Sequence, residues 1–187
     1  MSVQAITTMY DGIEYRSRLE ARWAAFFHRL KWQFTYEPFD GNGYIPDFLI
    51  HGDFPMLIEV KPAVTPDDFT APIEKIDRGL KDVWDGRILI VGLDPLPYLT
   101  SDYDRSPVAG FLRESINPYE PDDLCWNHGL WHPSSTPLSV CHEYMSYACS
   151  PSGYYDGNNG DWRGVPGTLQ YIRDMWAAAC NDSKWRG

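Results

Sequence analysis

Positive charge is scarce in this chain: 16 lysines and arginines stand against 26 aspartates and glutamates, a formal net charge of −10 at pH 7. Phosphate neutralisation supplies most of the affinity of proteins that coat nucleic acid non-specifically, so the balance argues against that class and confines any nucleic-acid contact to a local patch. Cysteine is scarce too. Cys125, Cys141, Cys149 and Cys180 are too few and too widely spread for the framework of a small secreted protein, so reduced thiols are expected. No stretch approaches the roughly 18 consecutive apolar residues of a membrane-spanning helix. Residues 1–10 lack the charged-then-apolar layout of a signal peptide, which sets the expectation of a cytoplasmic protein with no membrane contact. Internal repeats and low-complexity tracts are absent as well.

What is present is ample apolar material. Of 187 residues 43% are hydrophobic and 15% aromatic, enough for a core of ordinary size without metals or disulfides. Ser17 precedes an apolar series, Leu19, Trp23, Phe26, Phe27 and Leu30, at helical spacing, which predicts an amphipathic helix over 17–30. Trp32, Phe34 and Tyr36 then alternate with polar residues as a half-buried strand does, and Pro38 with Gly41-Asn42-Gly43 turns the chain. Strands over 44–51 and 56–61, a loop over 62–71, a helix over 72–84 and a buried strand over Arg87–Val91 complete the first half. Regular signals fade after Gly92. Only 111–115 and 167–180 read as helical, the latter placing Leu169, Ile172, Met175, Trp176 and Ala179 on one stripe. The expected organisation is an α/β core over 1–95 and a loop-rich, aromatic extension over 96–187 that ends in a helix.

Chemistry concentrates on the hairpin. Glu59 and Lys61 stand two apart on an otherwise apolar strand, so they leave one face while Ile58 and Val60 pack the other. Asp47, on the preceding strand, is within reach of Glu59 across the turn. Two carboxylates that close repel each other, and a shared proton or a divalent cation relieves them; hard oxygen donors suit Mg²⁺ or Mn²⁺. A cation on Asp47 and Glu59, with Lys61 to orient or deprotonate water, is the equipment of phosphodiester cleavage. Glu20 on the first helix is placed to complete the metal shell through a water. The same helix is cationic, and Arg16, Arg18 and Arg22 are candidates to clamp phosphates; a solvated helix face is the alternative reading of these charges.

Tyr15-Arg-Ser-Arg-Leu-Glu20-Ala-Arg-Trp-Ala, Ile45-Pro46-Asp47-Phe48 and Ile58-Glu59-Val60-Lys61, taken together, resemble the PD-(D/E)xK nuclease superfamily, especially small nuclease-like proteins of phages and mobile elements. The resemblance spans residues 10 to about 92. It implies a restriction-endonuclease-like αβββαβ core with a four-stranded mixed sheet, metal held by Asp47 and Glu59 with Glu20 in support, a catalytic Lys61, and DNA as substrate. It also implies an assisting polar residue on the helix after the Glu-x-Lys strand, which points to Lys75, and homodimers where both strands are cut.

Competing readings attach to the same residues. Ser17-x-x-Glu20 is also a capping box. Cys125, His128, His132, Cys141, His142 and Cys149 suggest a structural Zn²⁺ site, though not at the spacing of a known finger, and buried cysteines with surface histidines explain them as well. A Cys141–His132 nucleophile pair lacks an orienting acid. Trp126, Trp131, Tyr154, Tyr155 and Trp162 offer stacking surfaces, with core packing as the alternative. The rival functions are a catalytically inert nuclease-fold binding module, such as an acidic anti-defence protein, and a zinc-stabilised interaction protein.

Overall fold

The computed structural model describes residues 5–52, 55–95, 108–117, 120–130, 139–141, 147–149, 155–156 and 168–184. A small hairpin, β1 (Thr8–Tyr10) and β2 (Ile13–Tyr15), leads into helix α1 (Arg18–Arg29). Strands β3 (Phe34–Tyr36), β4 (Phe48–Ile50) and β5 (Met56–Val60) follow, then a 3₁₀ turn at Pro66–Phe69, helix α2 (Thr70–Leu80) and strand β6 (Arg87–Val91). From α1 to β6 the order is thus helix, three strands, helix, strand.

The sheet is larger than the four strands expected. β7 (Val108–Asn117) joins β6 antiparallel, giving a mixed five-stranded core in the order β7-β6-β5-β4-β3, in which only β5 and β6 run parallel. β8 (Glu120–Leu130), β9 (Ser139–Cys141), β10 (Tyr147–Cys149) and β11 (Tyr155–Asp156) continue the same sheet beyond β7. The helix expected over 111–115 is therefore strand. Its cause is tertiary: Ile88 to Val91 are all buried, and their second backbone edge needs partners that Gly110 to Arg113 supply.

Alternation sorts the core into two layers. Met56, Ile58, Val60, Phe48 and Ile50 face α1, whose Trp23, Phe26 and Phe27 are fully buried because helix α3 (Thr168–Asp182) covers the other side of α1. Trp176 of α3 packs 5.0 Å from Trp23, and Arg29 pairs with Asp182 at 2.6 Å. The opposite sheet face carries Leu57, Ile88 and Ile90 under Phe69, Ile76 and Leu80 of the α2 region. Leu57 and Glu59 belong to this α2 face, with Ile58 and Val60 on the other.

α2 runs from Thr70 to Leu80 rather than over 72–84, and two further boundaries differ from expectation for local reasons. β4 begins at Phe48 rather than near Tyr44, because Gly41 and Tyr44 close a separate tight turn through reciprocal backbone bonds of 2.8 and 2.9 Å and Pro46 has no N–H to donate. That turn uses positive φ at Asn42 and Gly43. Within 62–71, read as loop, Asp68 Oδ2 accepts from the Val64 and Thr65 amides and the Thr65 hydroxyl, which starts the 3₁₀ turn that feeds α2.

α2 approaches the Tyr44 turn closely at Gly79, where a Cβ would lie 2.7 Å from Tyr44 Cβ and 2.9 Å from its Cγ. Helix propensity alone favours Gly79→Ala by about 1 kcal/mol. The contact reverses the sign: the substitution is expected to destabilise by about 1–3 kcal/mol in chemical denaturation, because backbone-proximal atoms cannot give way. A more stable Gly79→Ala protein would show that α2 does not press on Tyr44.

Candidate active site

The register Phe48↔Ile58 brings Asp47, just ahead of β4, level with Glu59 on β5. The Val60 amide donates to Asp47 Oδ2 at 2.7 Å, which pins this carboxylate against the neighbouring strand. Both acids are almost fully buried, at 3% and 4% exposure. A cavity of about 370 Å³ opens beside them, and Glu20, Asp47, Glu59 and Lys61 all line it, together with Arg16 and Lys75. Four segments distant in sequence thus meet at one point: the entry to α1, the start of β4, the end of β5 and the face of α2.

Burial and mutual repulsion dominate the electrostatics. The Asp47 carboxyl is pushed up from 3.8 to about 7, first by burial and then by Glu59, while Lys61 opposes the rise. Cationic side chains already lean on the pair. Arg16 Nη2 donates to Asp47 Oδ1 at 2.7 Å, and its Nε pairs with Glu37 Oε1 at 2.7 Å. The Lys61 ammonium pairs with Glu59 Oε1. Glu59 Oε2, by contrast, is buried and accepts no hydrogen bond. Two negative groups in one pocket, two cations positioned on them and one carboxylate oxygen still unpaired form a site whose charge is compensated yet whose donors are not used up.

Glu20 takes part in the cap of α1, although its side chain meets the Ser17 hydroxyl rather than the Ser17 backbone amide of a full capping box. As in a cap, the Ser17 hydroxyl accepts from the Glu20 amide at 3.1 Å and donates to Glu20 Oε1 at 2.7 Å. The other oxygen, Oε2, accepts from the Tyr36 hydroxyl at 2.6 Å, and the Arg16 amide donates to that same hydroxyl at 3.0 Å. Glu20 remains on the cavity wall at 8% exposure, held by Ser17 and Tyr36. Tyr36 and Glu37 were legible only as strand residues; that they brace Glu20 and Arg16 depends on β3 lying beside the α1 entry.

The candidate phosphate contacts divide. Arg16 and Lys75 reach the cavity wall, Lys75 with its Nζ 5.5 Å from the centre of the Tyr44 ring. Arg18 is exposed and Arg22 half-buried on α1, and neither lines the cavity; Arg22 lies within electrostatic reach of Cys180 on α3. Of the residues read as a zinc set, Cys125 and His128 fall on β8, Cys141 on β9 and Cys149 on β10, on strands rather than in loops. His132 and His142 lie outside the described residues, as do Trp131, Tyr154 and Trp162. Trp126 of β8 donates through Nε1 to Asp77 of α2 at 3.0 Å, a packing role.

The donor chemistry fits a hard divalent cation. Asp47 and Glu59 offer carboxylate oxygens from adjacent strands, and one of these oxygens is unpartnered. Among the described residues no group of three His, Cys, Asp or Glu side chains is gathered as a preformed cage. Remaining coordination would fall to water and substrate, as suits Mg²⁺, which keeps several waters.

The raised Asp47 carboxyl sets a sign for stability. Between its ordinary value of 3.8 and about 7 the folded protein holds a proton that the unfolded chain has released, so this group's contribution to stability falls as pH rises through that window. In chelator, denaturation at pH 5 and pH 8 is expected to show a larger loss at pH 8 for the wild type than for Asp47→Ala. Parallel losses would contradict the assignment. Mn²⁺ at pH 8 is expected to raise the wild-type midpoint and leave that of Asp47→Ala unchanged.

No family model matches the chain, and no curated protein or solved structure matches it.

Proposed function

We propose that the chain is a Mg²⁺- or Mn²⁺-dependent phosphodiesterase that cuts DNA as an endonuclease, in a phage or mobile-element setting. The observation that carries the proposal is the convergence of Asp47, Glu59 and Lys61 from two adjacent strands on one cavity, with Glu20 and Arg16 at its wall. When bound, the cation supplies Lewis-acid charge to the reacting phosphodiester.

The protein's own groups supply the rest. Asp47 and Glu59 are rigidly based, one by the Val60 amide and the other by its place on a central strand. Lys61 sits at the mouth with its side chain 30% exposed, able to orient the attacking water and to donate to charge developing on phosphate oxygens. Arg16 and Lys75 present cations to the flanking phosphates. With so few cations against a net charge of −10, binding relies on a short contact rather than a long basic track. DNA rather than RNA follows from the family resemblance of the three motifs, as does dimerisation for double-strand cleavage.

A second reading has an observation in its favour. Arg16 and Lys61 already compensate the carboxylates, and the chain as a whole carries a net charge of −10, as a catalytically inert nuclease-fold module that occupies a partner's DNA groove would. Calorimetric titration with Mn²⁺ separates the two, since a decoy has no need of the ion.

Incubation of supercoiled plasmid with purified protein and Mg²⁺ or Mn²⁺ is expected to yield nicked or linear DNA. Lys61→Ala and Asp47→Ala are expected to lower that rate by about a hundredfold or more while circular dichroism stays unchanged. Cutting at the wild-type rate by both variants would locate the chemistry elsewhere.

A further inference from the structure

Two polar groups in the cavity wall are buried and lack hydrogen-bond partners: the Tyr44 hydroxyl and Glu59 Oε2. Tyr44 is 7% exposed and Glu59 4%. Buried polar atoms are almost always satisfied, so two orphans side by side indicate a partner that arrives with a ligand or a rearrangement that pairs them. They are close neighbours: the Glu59 carboxylate is the charged group that acts most strongly on the Tyr44 hydroxyl and also accepts weakly from it, short of full hydrogen-bond geometry.

Tyr44 is held from several sides. Its backbone closes the turn to Gly41, Gly79 of α2 abuts its Cβ, and Lys75 lies over its ring. The position of the hydroxyl is therefore fixed by packing, whereas the Glu59 carboxylate can rotate about its terminal torsion. At present Lys61 holds Oε1 and nothing holds Oε2. A carboxylate that gives one oxygen to a cation needs a donor on the other to keep its orientation. Tyr44 offers a hydroxyl donor at that place.

We infer that Tyr44 is a positioning residue, whose hydroxyl donates to Glu59 and orients that carboxylate for a divalent cation shared with Asp47. The inference rests on the metal-dependent reading of the site and adds to it a residue outside the Pro-Asp and Glu-x-Lys motifs. It calls for Tyr44 to affect cation affinity while contributing little to the fold beyond its ring.

The test is Mn²⁺ binding, followed by calorimetry and by the electron paramagnetic resonance signal of free Mn²⁺, on the wild type, Tyr44→Phe and Tyr15→Phe. Tyr15→Phe is the control, because it removes another buried, unpartnered hydroxyl from a fully buried residue that does not line the cavity. Tyr44→Phe is expected to weaken Mn²⁺ binding about 10- to 100-fold with an unchanged dichroism spectrum and no loss of thermal midpoint, and Tyr15→Phe to bind as the wild type does. Equal affinity in Tyr44→Phe and wild type overturns the inference and leaves the metal reading intact. Equal weakening by both substitutions also overturns it, since the effect would then be general to the core. A wild type that binds no Mn²⁺ overturns both.

Discussion

Two carboxylates on adjacent strands, buried level with one another, are the constraint around which this protein is organised. Neither Asp47 nor Glu59 can be solvated well, and Glu59 raises the energy of the ionised form of Asp47. The protein answers with Arg16 from the entry to α1, Lys61 from the same strand as Glu59, and the Val60 amide. Replacing the acids with apolar residues of similar size would remove the difficulty, so their presence beside an otherwise apolar sheet is a feature that stability does not explain. The cation-dependent function proposed above would account for it.

The fold serves this arrangement at both faces. Burying α1 between the sheet and α3 fixes the helix whose N-terminal turn carries Arg16, Ser17 and Glu20. On the other face, α2 presses Gly79 against Tyr44 and presents Lys75 to the cavity. Trp23 Nε1, bonded to the Gly92 carbonyl at 3.0 Å, ties α1 to the end of β6 and so to the parallel partner of β5. Displacing any of these supports would move a wall of the cavity without touching an acid.

Much of this was legible in residue order. The helical spacing from Leu19 to Leu30, the alternation of Phe34 to Tyr36 and the charged interruption at Glu59 and Lys61 each report a local rule, and the structure has helix or strand at each place. What was not legible depends on partners far along the chain. Residues 111–115 became strand because β6 offered an open edge, and α3 covers α1 through Ile172, Trp176 and Ala179 rather than merely closing an extension. That Arg16 also pairs with Asp47, at 31 residues' separation, and with Glu37 was not legible, because these partners come together only after β3 and β4 pair. Tyr44 gave no signal at all, since an aromatic ahead of a proline is ordinary.

The most direct measurement is the anomalous scattering of crystals soaked with Mn²⁺. The account predicts a single strong peak between the carboxylates of Asp47 and Glu59, with the Arg16 guanidinium or the Lys61 ammonium moved off the oxygen it now holds. Crystals that take up no ion at that point, and in which both cationic side chains stay on their carboxylates, would contradict it.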